Sequence, residues 1–166
     1  MLKTIIASLL TLTVLAGCLK SKDTGCKYDP CAVVAPAAEI DSVRAYLAAN
    51  GITDAVQHCS GVFYRISQQG TGAQPNPCSY IGANYIGRRK DNSIFDQGSF
   101  REPYQLTQLV RGWTNIIPLL QSGGQVSLYI PPSLGYGARE IRDENNNLVL
   151  AANSMLIFSV QLTSVQ

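Results

Sequence analysis

The stretch Tyr129-Ile130-Pro131-Pro132-Ser133-Leu134-Gly135-Tyr136-Gly137 closes an apolar strand and turns sharply at its glycines and prolines. Upstream, Gln125 to Ile130 alternates, with Val126, Leu128 and Ile130 on one face. Val110-Arg111-Gly112-Trp113 precedes it, Met155-Leu156-Ile157-Phe158 comes after it, and Phe95-Asp96 lies further upstream. Together these segments predict strands, a tight turn and the lone tryptophan placed so that aromatic side chains line one shallow apolar pocket.

The order and spacing of these motifs resemble the FKBP-type peptidyl-prolyl isomerases, from about Gly61 to Val165. The resemblance implies an α+β fold, an antiparallel β-sheet wrapped around a short helix, and isomerase activity on Pro-containing peptide segments without a cofactor or metal; the second reading is a binding module or chaperone that uses the same pocket to hold Pro-containing or unfolded segments with little or no turnover. The resemblance also implies site residues. Tyr85 matches a rim tyrosine, Phe95 and Asp96 a wall phenylalanine and a buried aspartate, Trp113 the indole floor. Tyr136 matches the tyrosine whose hydroxyl meets the substrate amide, and Phe158 completes the wall. Tyr104 stands where the family usually has phenylalanine, Leu109 and Val110 match an aliphatic pair whose backbone N–H takes a ligand carbonyl, and Val149 or Leu150 would close the walls. Arg101, like Asp96, would be a polar support. Four departures bear on activity, among them Pro118 inside the short helix and a chain between Tyr104 and Trp113 shorter than in many members. The family's Ile-Pro-Pro-Asn segment reads Leu150-Ala151-Ala152-Asn153, without the stiffening prolines, and the insert Arg139 to Asn147 has the look of a hairpin tip.

Residue patterning gives the same plan more coarsely. Val62 to Ile66, Tyr80 to Ile86, Ser93 to Phe95, Tyr104 to Leu106 and Met155 to Leu162 read as strands, and Trp113 to Gln121 as the one helix inside the domain. Pro118 falls within that helix, which it would kink unless it sits in a first turn. Ahead of the domain, Ile40, Val43 and Leu47 fall at helical spacing within Ala37 to Ala49, and Asn50-Gly51 marks the stop. This N-terminal amphipathic helix is too short to stand alone, so its apolar stripe is expected to pack on the domain C-terminal to it.

The beginning of the chain reads as targeting rather than fold. Lys3 precedes an apolar run from Thr4 to Leu15, shorter than the roughly 20 residues a membrane span needs. The run ends at Leu15-Ala16-Gly17-Cys18, which resembles a bacterial lipobox, with Cys18 lipidated. The expected organisation is a signal peptide over 1–17, a lipidated tether over 18–36, the helix and connector over 37–58, and the isomerase domain over 59–166. The expected place is a bacterial cell envelope, with exported proteins as substrates, a membrane held through lipid, and a monomeric domain. Removing Lys3 leaves twelve Lys and Arg against eleven Asp and Glu, a balance that argues against nucleic acid. The basic cluster Arg88-Arg89-Lys90 before Asp91-Asn92 reads as a solvated hairpin end.

Four further cysteines, Cys26, Cys31, Cys59 and Cys78, allow three disulfide connectivities in an oxidising compartment. Proximity along the chain favours Cys26 with Cys31 and Cys59 with Cys78. Zinc is the competing reading, against which stand the wide cysteine spacing and the single histidine. That histidine, His58, reads as a surface loop residue. Ser127 and His58 raise the question of a hydrolase, but no Gly-x-Ser-x-Gly elbow surrounds a serine, so that chemistry is set aside.

Overall fold

A computed structural model of the chain describes residues 25–100 and 102–166; Cys18 and Arg101 fall outside them, as do the expected signal peptide and the start of the tether. Helix α1 spans Ala37–Ala49. The strands are β1 (Val56–Gln57), β2 (Phe63–Gln68), β3 (Tyr80–Arg88), β4 (Ile94–Ser99) and β5 (Tyr104–Gln105), then β6 (Gln125–Ile130), β7 (Ile141–Arg142), β8 (Leu148–Leu150) and β9 (Leu156–Val165). Between β5 and β6 lies α2, Arg111–Ile116, continued as a single 3₁₀ turn over Ile117–Leu119.

The main sheet has the order β1-β2-β6-β9-β3-β4, with β5 also on β3, and its pairs are antiparallel. Strand β9 shows why it lies at the centre. Leu156, Phe158, Val160 and Leu162 alternate into the core, while Ser159, Gln161 and Thr163 face out. In β6 the residues Val126, Leu128 and Ile130 are buried on the same side. Onto that face packs α2, buried from Gly112 to Ile116, so the sheet wraps a short helix as the sequence predicts. The helix ends sooner than the expected Gln121. Pro118 is accommodated at the start of the 3₁₀ turn, where its missing N–H has no helical partner.

A second apolar cluster occupies the opposite face. There Val43 and Leu47 of α1 meet Phe63, Tyr129 and Met155, with Phe63 and Tyr129 paired across β2 and β6. The stripe of α1 thus covers an otherwise exposed corner of the sheet. The insert at 139–147 forms the small β7–β8 hairpin, turned by Asn146 in the left-handed conformation.

Three expectations change. Cys26 is bonded to Cys78 and Cys31 to Cys59, not Cys26 to Cys31 and Cys59 to Cys78. Short loops favour local pairs in an unfolded chain, but the fold brings the remote partners to Cα separations of 5.6 and 5.5 Å. In consequence the stretch from Cys26 to Pro36 is no free tether: it is bonded to the domain twice, and Ala35 is buried with its N–H on the Ser60 carbonyl. Finally, Arg89 is not a solvated hairpin charge. Its guanidinium donates to the Val149 and Ile94 carbonyls and to Ser93 Oγ, tying the β3–β4 turn to β8. Among the described residues no helix is long and apolar enough to cross a membrane.

Candidate active site

Gly112 and Trp113 set the floor. Gly112 has no side chain to hold α2 away from Ile130, so the helix lies directly on β6. Trp113, on the next position, is 3% exposed and directs its indole toward β3 and β9. Tyr85 meets the indole edge-on at 5.6 Å between ring centroids and Phe158 does so at 5.3 Å, while Phe100 lies tilted at 6.0 Å. Each such contact is worth about 0.5–1.5 kcal/mol beyond area burial, so the rings hold one another in place. Above them opens a cleft of about 490 Å³, lined also by Tyr104, Leu109, Val110 and Tyr136.

Polar groups sit at the mouth, where Asp96, expected to be buried, is exposed on β4. The Tyr85 hydroxyl donates to Asp96 Oδ2 at 3.1 Å. Burial and the Asp96 charge push the Tyr85 phenol up to about 12, so it stays a donor at any physiological pH. Burial also raises Tyr136, with Asp96 adding to the rise and Arg139, whose guanidinium lies 5.4 Å over the ring, opposing it. The Val110 N–H and the Tyr136 hydroxyl make no hydrogen bond among the described residues. A turn positions Tyr136: Gly137 N–H reaches the Pro132 carbonyl, and Asn153 N–H reaches the Gly137 carbonyl at 2.7 Å. The segment Ala151-Ala152-Asn153 therefore still fastens to the cleft wall without its prolines, with Asn153 at a φ of 56°.

Most of the sequence-predicted residues converge. Tyr85, Asp96, Tyr104, Leu109, Val110, Trp113, Tyr136 and Phe158 line the cleft. Phe95 does not: it packs edge-on behind Phe158 at 5.5 Å, in space that a side chain on Gly87 would fill. Val149 and Leu150 also stand away from the lining. Val149 offers its carbonyl to Arg89, and Leu150 is a core residue at 1% exposure. Phe100, Gln108, Arg111 and Arg139 line the cleft without having been singled out. Of these Phe100 had a signal: an aromatic four residues before Tyr104, which meets it at 5.1 Å. His58 is not among the residues that line the cleft. It lies beside the Cys31–Cys59 bond, and with both sulfurs spent there the three residues offer no thiolate to a metal.

Residues 72–163 match the family model described as FKBP-type peptidyl-prolyl cis-trans isomerase. The chain belongs to that family. A probable FKBP-type isomerase named FkpA from Neisseria meningitidis serogroup B is 32% identical over 126 residues, 74% of this chain and 44% of that protein. The outer membrane protein MIP of Legionella longbeachae is 30% identical over 110 residues, 64% of this chain and 45% of its own length. The chain thus spans less than half the length of these two relatives. Among solved structures, a peptidyl-prolyl cis-trans isomerase from Pseudomonas syringae pv. tomato superposes with a TM-score of 0.64 at 26% identity, over 80% of this chain and 97% of that one.

Proposed function

We propose that this chain catalyses cis-trans isomerisation of X-Pro bonds in peptide segments laid across the cleft. The observation that carries the reading is a buried indole walled by three aromatic rings, with two unengaged donors, the Val110 N–H and the Tyr136 hydroxyl, at the mouth. Amide resonance sets a rotation barrier of about 18–20 kcal/mol, and uncatalysed X-Pro isomerisation takes tens to hundreds of seconds. A twisted amide has lost much of that resonance and its dipole. An apolar site that excludes water favours the twisted form over the planar one, without a nucleophile or a proton transfer.

In this scheme Trp113 receives the pyrrolidine ring, with Tyr85, Phe100 and Phe158 as walls and Tyr104, Leu109 and Val110 contacting flanking residues. Asp96 holds Tyr85 in position, and Phe95 supports Phe158 from behind. The Val110 N–H takes the carbonyl preceding the proline, and Tyr136 donates to the amide as it twists. Lipidation at Cys18 would place the domain at a bacterial envelope membrane, where unfolded exported chains supply proline-containing segments.

A protease-coupled assay on Ala-Xaa-Pro-Phe peptides with the full chain tests the activity. Acceleration that saturates with peptide supports it. A folded chain that binds such peptides without accelerating them would make the cleft a binding module instead. Cys18→Ala tests the anchor, and recovery of a free Cys18 thiol on the mature membrane-bound protein would refute it.

A further inference from the structure

The side of α2 turned away from the cleft is held by an unexpected partner. Trp113 and Asn115 are two positions apart, so they point to nearly opposite sides of the helix. Trp113 faces the cleft, and Asn115 is buried on the other side at 4% exposure. There Asn115 Oδ1 accepts a 2.7 Å hydrogen bond from the Tyr28 hydroxyl, 87 positions earlier in the chain.

Tyr28 can serve as a fixed post because its segment is fastened at both ends. Cys26 is bonded to Cys78 and Cys31 to Cys59. Between them the backbone is turned by Tyr28 N–H on the Cys26 carbonyl and by Cys31 N–H on Asp29 Oδ1. The Cys78 carbonyl in turn receives Gln105 Nε2 at 3.3 Å, and the Ser79 carbonyl receives the Leu106 N–H. The same strap is therefore joined to the segment that leads through Leu109 and Val110 into α2. The helix is six residues long and cannot fix its own position. Its other polar side-chain anchor among the described residues is Thr114, whose hydroxyl donates to the Leu106 carbonyl.

We propose that Tyr28 is a positioning residue for the isomerase site: by holding Asn115 it sets the depth and tilt of the Trp113 indole. The inference rests on the isomerase reading above, but part of its test does not. Tyr28→Phe removes only the hydroxyl, leaving a buried amide acceptor without its donor.

The experiment compares the full chain with Tyr28→Phe, and with Tyr28→Phe combined with Asn115→Leu, in which both polar partners are gone. Trp113 is the single tryptophan, so its emission reads the floor directly. Expected for Tyr28→Phe are a shifted emission maximum, increased acrylamide quenching, and kcat/KM lowered three- to tenfold, mainly in kcat. The double variant, which also lacks the tie, should stay shifted in both signals; its recovery to wild-type values would mean that the unpaired Asn115 amide, not the lost tie, disturbs the floor, and would overturn the proposal. A lower melting temperature with unchanged Trp113 emission, and unchanged kcat at 25 °C, would reduce Tyr28 to a structural tie and overturn the proposal. Were the wild type to lack isomerase activity, the emission and quenching changes, together with the affinity of a Pro-containing peptide, would still decide whether Tyr28 positions the floor.

Discussion

Gly112→Ala should displace the floor of the cleft while adding only one methyl group. A β-carbon built at this position falls 2.5 Å from Ile130 Cδ1 and 2.7 Å from both Cγ atoms, whereas carbon atoms prefer about 3.5–4.0 Å. The contact therefore calls for a separation of roughly 1 Å. Ile130 cannot supply it alone, being fully buried and paired to Leu156 within the sheet. The helix must move, and Trp113 moves with it. Overpacking of this kind costs about 1–3 kcal/mol, offset by up to ~1 kcal/mol from replacing glycine within a helix. The net loss of stability is then about 1–2 kcal/mol, or roughly 4–8 °C in Tm for a domain of this size. With an indole shifted by a large fraction of an ångström, kcat/KM in the protease-coupled assay should fall about tenfold, equivalent to ~1.4 kcal/mol. Combining it with Ile130→Val, which removes the nearest atom, should recover part of both losses. A variant with Tm and kcat/KM at wild-type values would refute the claim that the helix is pressed against β6. A fall in Tm with unaltered kcat/KM would refute the link between helix position and catalysis.

Among the site residues, Trp113→Ala and Phe100→Ala should lower kcat/KM most, since each admits water to the floor. Phe95→Ala should cost less because Phe158 stands between it and the cleft, and Tyr136→Phe should cost about fivefold, or ~1 kcal/mol, for one hydrogen bond; circular dichroism checks that each variant is folded. The rate should show no tyrosine titration between pH 6 and 9, because Tyr85 is pushed up to about 12 and Tyr136 is also raised; an inflection in that range that disappears in Tyr85→Phe or Tyr136→Phe would count against these assignments. Stability should fall as pH drops below about 6.5, because burial lowers the folded pKa of His58 and the unfolded chain takes up the proton first. His58→Gln should remove that part of the pH dependence measured by urea denaturation. A chain begun at Pro36 loses the partners of Cys59 and Cys78. With loops spanning 28 and 52 residues, each bridge is worth about 3–4 kcal/mol on the chain-entropy estimate. Its urea midpoint should therefore drop well below that of the full chain.

What the sequence disclosed depended on how local the physics was. Helix α1 and strand β6 coincide with their predicted limits because apolar period and flanking stops are short-range signals. Trp113, Tyr136, Phe158 and their companions could be placed because family spacing carries three-dimensional information that periodicity lacks. Val149 and Leu150 were misplaced for a related reason: an apolar residue near a pocket and one behind it look alike until strand register decides which way each faces. Phe100 was passed over since it follows β4 outside any recognised motif, and only the fold brings it onto Trp113. Asn115 and Tyr28 could not have been paired from sequence at all. Their bond spans 87 positions and depends on where the two disulfides place the strap.

The nesting of those bridges also bears on how the protein matures. The Cys31–Cys59 link lies inside the loop closed by Cys26–Cys78, so neither joins neighbours in the chain. An oxidant acting on an unfolded chain would more readily couple Cys26 with Cys31 and Cys59 with Cys78, since shorter loops close at lower entropic cost. Those premature pairs would leave the segment around Tyr28 unattached to the domain. Correct maturation consequently requires the sheet to assemble before the thiols are consumed, or a thiol-disulfide exchange partner to undo early errors. A chain read as an assistant to the folding of others is, on this account, dependent on the order of events in its own.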